Sequence, residues 1–168
     1  MDSYDFIIVG GGSAGCVLAA RLSEDPSISV CLLEAGGKDT SPFIHTPVGM
    51  VAMMPTKHNN WGFETVPQKG LNGRKGYQPR GKTLGGSRSI NAMMYARGHR
   101  YDYDLWSRLG NVGWSYDECL PYFKKAEHNE VHKDEFHGQG GPLNVTDLRC
   151  PSEMLEKYLQ ACESIGIP

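Results

Sequence analysis

The chain has 168 residues, 39% hydrophobic and 21% charged, which suits one soluble globular domain with a core of its own. A net charge of −2 excludes the basic footprint of a nucleic-acid binder. No apolar run nears the length of a membrane span, and Asp2 and Asp5, with no basic region, argue against a signal peptide. Cys16, Cys31, Cys119, Cys150 and Cys162 form no CxxC pair and are odd in number. The expectation is reduced thiols in a cytoplasmic protein, with Cys16 and Cys31 buried on core elements and peripheral membrane association left open.

In chain order, Phe6 to Val9 is a short continuous apolar run, the pattern of a strand buried on both faces of a parallel sheet. It runs into Gly10-x-Gly12-x-x-Gly15, after which Cys16 to Leu22 is spaced for a helix packed along one side. Asp25-Pro26 stops that helix, Val30 to Leu33 forms a second buried strand, and Glu34 ends it. Gly10 permits the sharp strand-to-helix turn, Gly12 lets a pyrophosphate approach the backbone, and Gly15 with Ala19 lets the helix lie close to the strands. N–H groups near Ser13 and Ala14 point at the phosphates, aided by the helix dipole. A carboxylate at Glu34 accepts hydrogen bonds from an adenosine ribose and repels a 2′-phosphate. Strand, glycines, helix and acid together predict dinucleotide binding, and alone they do not separate FAD from NAD.

Ala35-Gly36-Gly37 leaves the second strand with residues small enough to lie against a ribose. Between Lys38 and Asn60 the prolines break any periodicity, and Met50 to Met54 reads as a short helix or buried loop. Trp61 to Val66 reads as a strand, Asn72-Gly73 as a hairpin turn and Tyr77-Gln78 as the returning strand. From Arg80 to Tyr95, paired glycines and small hydroxyl residues precede an apolar run, which predicts a loop leading into a buried segment. Asp102 to Leu109 has helical spacing, Ser115-x-x-Glu118 is a capping box, and Pro121 is placed at a helix start. Residues 126–142 read as a loop, Leu143 to Val145 as an edge strand, and Leu155, Tyr158, Leu159, Cys162 and Ile165 as one helical face. His128, His132 and His137 have no accompanying cysteine or carboxylate pattern, so no metal is expected.

The stretch Gly81-Lys82-Thr83-Leu84-Gly85-Gly86-Ser87 through Ile90-Asn91, with Tyr95, Gly98 and Asp104, resembles the first signature of the glucose–methanol–choline (GMC) oxidoreductases. Gly10 to Gly15 with Glu34-Ala35-Gly36 resembles their FAD-binding start. Gly113 to Glu118, Pro121 to Lys125, His137-Gly138 and Gly141-Pro142-Leu143 are also similar, so the resemblance covers essentially the whole chain, nearest to the choline-dehydrogenase-like members. It implies an α/β, Rossmann-like FAD-binding domain and oxidation of a primary alcohol, choline-like or aliphatic, by hydride transfer to the flavin. The electron acceptor is not implied. Gly10, Gly12, Ser13, Ala14 and Gly15 then hold the pyrophosphate and Glu34 the ribose, with Ala35 beside it. Thr83, Ser87, Asn91, Ala92, Met93 and Met94 lie along the cofactor near the flavin, and Trp61 contacts it.

Arg88 departs from the family, which has a small residue there. Covalent members carry a histidine at or beside position 90; Ser89-Ile90-Asn91 implies non-covalent FAD. None of the six histidines matches the family's catalytic position. One clear strand–helix–strand unit is too little for a doubly wound sheet, so the expectation is an N-terminal portion whose catalytic residues lie beyond Pro168. Within it, 1–37 is the dinucleotide-binding unit, 72–100 covers the cofactor and 143–168 begins the substrate side. An NAD-dependent dehydrogenase shares the opening motif but does not explain residues 81–95. A non-catalytic nucleotide-binding module complete at this length is the third alternative.

Overall fold

β1 (Phe6–Val9) and β2 (Val30–Leu33) lie side by side in parallel, Phe6 opposite Val30 and Val9 opposite Leu33, with α1 (Ser13–Leu22) crossing between them. The computed structural model describes residues 3–150 and 152–167. Met1, Asp2, Pro151 and Pro168 lie outside the described residues, and with them the reading of Asp2 and the outer ends of the 1–37 and 143–168 stretches. The strand bounds match those read from the apolar runs. Their burial does not. Ile8 faces α1, where a Cβ on Gly15 would lie 3.4 Å from its Cγ2. Side chains alternate along a strand, so Ile7 and Val9 point the other way, and they are 62% and 84% exposed. The sheet has two strands, with α1 packed against it, and an apolar run alone does not say what covers its second face. For the same reason Cys16 and Cys31 are half-buried rather than buried; all five cysteines are free.

The chain divides into two compact units, one up to Met94 and one from Tyr95 on. The first continues with two short helices, α2 (Pro42–His45) and α3 (Gly49–Met53). Met53 is 1% exposed, so the Met-rich stretch is helical with one side chain in the core. β3 (Phe63–Glu64) and β4 (Tyr77–Gln78) pair antiparallel, a shorter strand than Trp61 to Val66. The turn between them uses Asn72 at φ 54° and Gly73 at φ 75°, the left-handed region that Asn-Gly favours. Of the segment expected to be buried after the second glycine pair, Ile90 is buried and Asn91 to Met94 are exposed. The Asn91 side-chain oxygen accepts the Met93 N–H at 2.8 Å, and Met93 sits at φ 58°; this local turn stops the apolar run from becoming a core element.

The second unit holds α4 (Arg100–Arg108), α5 (Tyr116–Ala126), β5 (Glu127–Asn129), β6 (Leu143–Val145) and α6 (Glu153–Ser164). Ser115 and Glu118 form the expected capping box at the start of α5. Pro121 lies inside α5 and not at its start, so the helix runs through a residue that supplies no N–H. Residues 126–142 are not all loop: β5 pairs in parallel with β6, Glu127 opposite Leu143. His132 and His137 stack at 4.9 Å, with His137 2.7 Å from Asp134. Among the described residues no helix is long and apolar enough to cross a membrane.

Candidate functional site

Gly10 turns the chain out of β1 at φ +100°, and its N–H donates to the Leu33 carbonyl at 2.7 Å. Gly15 sits so tightly that a Cβ there would lie 1.9 Å from the Gly10 oxygen. Gly12 is the N-cap of α1 and brings no capping side chain, and the first turn carries no acid. The dipole and open N–H groups at this end therefore face an uncompensated position, the arrangement that attracts an anion. Ser13 and Ala14 are exposed on that first turn.

Glu34 reaches back under the loop. Its Oε2 accepts the Gly11 N–H at 2.7 Å and its Oε1 accepts the Gly36 N–H at 2.8 Å. Each oxygen has a second lone pair, so the carboxylate retains acceptor capacity. Ala35 is exposed beside it.

The second glycine stretch lies directly on the first. Gly85 N–H donates to the Gly11 carbonyl at 2.7 Å, and Leu84 N–H to the Gly37 carbonyl at 2.9 Å. Thr83 is fully buried, its hydroxyl donating to the same Gly37 carbonyl at 3.1 Å. A Cβ on Gly86 would lie 2.8 Å from the Gly12 Cα, and one on Gly36 2.1 Å from the Lys82 carbonyl carbon. The loops thus meet backbone to backbone. Ser87 Oγ accepts the Gly81 N–H at 3.1 Å, holding the start of the stretch to its 3₁₀ turn. Trp61 is stacked on Phe63 at 5.6 Å, with the ammonium of Lys82 from the second stretch 4.3 Å from its ring centre. Asn91 and Met93 line a cavity of about 320 Å³ together with Arg88, Asp39, His45 and Met53. Arg88 is exposed and borders this cavity.

Asn60 was not legible as a site residue. It is 2% exposed, and its Oδ1 accepts the N–H groups of Gly62 (3.0 Å) and Arg80 (2.9 Å). Its amide donates towards the Met54 and Thr56 carbonyls and the Tyr77 hydroxyl. One side chain thereby ties α3, β4 and the entry to the second glycine stretch. An asparagine before Trp61 signals a turn and nothing more. Asn60→Ala leaves buried donors and acceptors unpaired and is expected to cost roughly 1–3 kcal/mol. A thermal melt unchanged from the parent protein would refute this.

Residues 4–168 match the family described as GMC oxidoreductase. The chain belongs to the GMC oxidoreductase family. It is 52% identical over 159 residues to an alcohol dehydrogenase (acceptor) of Pseudomonas putida, covering 94% of this chain and 29% of that protein. It is 45% identical over 174 residues to the mitochondrial choline dehydrogenase of Homo sapiens, covering 99% and 29%. The crystal structure of a pyridoxine 4-oxidase from Mesorbium loti superposes with a TM-score of 0.91 at 40% identity, covering 99% of this chain and 33% of that one. The chain spans about 30% of the length of the curated relatives it matches. The fold is therefore the α/β FAD-binding fold of GMC oxidoreductases, present in part. FAD is the cofactor of this family. The uncapped start of α1, the side-chain-free Gly12 and the acceptor capacity of Glu34 fit its dinucleotide half.

Proposed function

We propose that this chain holds FAD for the oxidation of the CH–OH group of a primary alcohol, choline-like or aliphatic. The observation that carries the reading is the pair of glycine loops packed on each other at the uncapped start of α1, with Glu34 beneath them. When bound, FAD supplies the two-electron acceptor for the alcohol's hydride. Ser13 and Ala14 N–H groups bind the pyrophosphate, with Gly10, Gly12 and Gly15 giving the backbone its path. Glu34 takes the ribose hydroxyls, and Ala35 leaves them room. Thr83 and Ser87 keep the second loop in place, while Asn91, Ala92, Met93 and Met94 border the flavin end and Trp61 flanks it. No residue of this chain is assigned the removal of the alcohol proton. Five unpaired cysteines support a reducing compartment, and we place the protein in the cytoplasm.

FAD is held here without a covalent bond. Ile90, 4% exposed, offers only hydrocarbon at the attachment position. Neighbouring Ser89 donates its hydroxyl to the Leu84 carbonyl, and Asn91 is engaged with the Met93 N–H. The purified protein is expected to titrate with FAD, and acid precipitation to leave a yellow supernatant over a colourless pellet. Failure to bind FAD at all would overturn the reading, and flavin fluorescence running with the polypeptide on a denaturing gel would overturn its non-covalent part.

A further inference from the structure

We infer that Glu34 is a positioning residue for the phosphate loop, a role separate from any contact with ribose. This rests on the reading that a dinucleotide binds at the loop. The two carboxylate oxygens are spent on two different backbone stretches, Gly11 N–H at 2.7 Å and Gly36 N–H at 2.8 Å. Both stretches carry the second glycine loop: the Gly11 carbonyl accepts Gly85 N–H, and the Gly37 carbonyl accepts Leu84 N–H and the Thr83 hydroxyl. Glu34 is thus the only side chain among the described residues with hydrogen bonds to both the 10–12 and the 36–37 turns.

The residue type follows from the geometry. Two N–H donors converge on one side chain, so both of its terminal atoms must accept. A carboxylate does so, and charge strengthens each bond. Glutamine turns a donor toward one N–H, and aspartate is one methylene short. Contact is tight on the other side as well, since a Cβ on Gly11 would lie 3.3 Å from the Glu34 Cβ. Glu34 sets the loop before a ligand arrives, so the pyrophosphate meets N–H groups already aimed.

The test is a cycle between the protein and the ligand. FAD and an FAD analogue carrying 2′,3′-dideoxyadenosine, which has no ribose hydroxyls at that end, are titrated into the parent protein, Glu34→Gln and Glu34→Asp. Positioning predicts that each variant loses affinity for the dideoxy analogue as well as for FAD, the analogue by about ten- to hundredfold. It also predicts faster amide exchange at Gly11 and Gly36 in the ligand-free variants. If affinity falls for FAD alone and Gly11 exchange is unchanged, Glu34 only contacts ribose and the inference is overturned. A melting-temperature change with both affinities intact overturns it too. Should Glu34→Gln not fold, Glu34→Asp decides between the same outcomes. If the parent protein binds neither ligand, the proposed function falls, while exchange at Gly11 still decides the role of Glu34.

Discussion

Glu127→Ala is expected to destabilise the unit from Tyr95 onward by about 3–5 kcal/mol, the usual cost of removing one partner of a buried ion pair. The Glu127 side chain is fully buried, and the Arg97 guanidinium sits 2.5 Å from its Oε2. The same carboxylate accepts the Asn129 amide and the Gly138 N–H, each at 2.9 Å. Truncation leaves all three donors without their acceptor. Burial pushes the Glu127 carboxyl up, but the bonds from Asn129 and Gly138 and the charge of Arg97 outweigh it, and the group lies below its ordinary value. A carboxyl with a lowered folded-state pKa stabilises fully above its unfolded value, near 4.3. That contribution is lost as pH falls through the lower, folded value. Urea denaturation followed by the fluorescence of Trp106 and Trp114 should show parent and variant far apart at pH 7 and converging in acid. A difference under about 1 kcal/mol at neutral pH would mean the pair is not a buried brace.

Gly15→Ala and Gly12→Ala are expected to fail in opposite ways. A methyl at Gly15 meets the Gly10 carbonyl oxygen at 1.9 Å, and backbone has no rotamer with which to yield. The cost is about 3 kcal/mol, the upper end for an overpacked position, and a melting point lowered by roughly 6–12 °C. At Gly12 the nearest atom is the Gly86 Cα at 4.0 Å, and φ of −77° suits any residue. The Gly12 variant should melt with the parent yet lose FAD affinity tenfold or more, because the methyl occupies the side from which phosphate approaches. Calorimetry and flavin titration on both variants separate the two effects. Equal melting points for Gly15→Ala and the parent would show that α1 shifts freely on β1.

The strand–helix–strand opening was legible because its signals are local. Apolar runs, a glycine turn and an acid at the strand end each act within a few residues, and both strands lie where those runs placed them. Exposure of Ile7 and Val9 was not, because burial depends on what packs from elsewhere. β5 was missed for a related reason. Glu127-His128-Asn129 has no apolar pattern, and besides Asn129 its buried carboxylate is held by Arg97 and Gly138, 30 and 11 residues away in sequence. Pro121 suggested a helix start from its usual place, yet α5 tolerates it inside. At the candidate site only Gly12 and the Ala35-Gly36-Gly37 segment were read as room for a ligand. Gly36, Gly81 and Gly86 also make room for other backbone, as the distances to Lys82, Gly86 and Gly12 show. Asn60 was hidden because its five partners are spread over residues 54–80.

The hydrogen bond between Gly85 and Gly11 also dictates an order of assembly. Closing a loop costs entropy that grows with its length, so short-range pairings form before distant ones. Gly10 and Leu33 are joined by a short crossover, whereas Gly11 and Gly85 close a stretch that contains α1, β2, α2, α3 and the hairpin. In refolding under pulsed deuterium labelling, Gly10 N–H should gain protection before Gly85 N–H; the reverse order would contradict this. The contact between the two glycine loops then forms after the strand–helix–strand unit that carries the first of them. A ligand that bridges both loops acts on that later step, favouring closure in proportion to its saturation. A cofactor that spans both loops is, in this sense, a late contact in the chain's own folding.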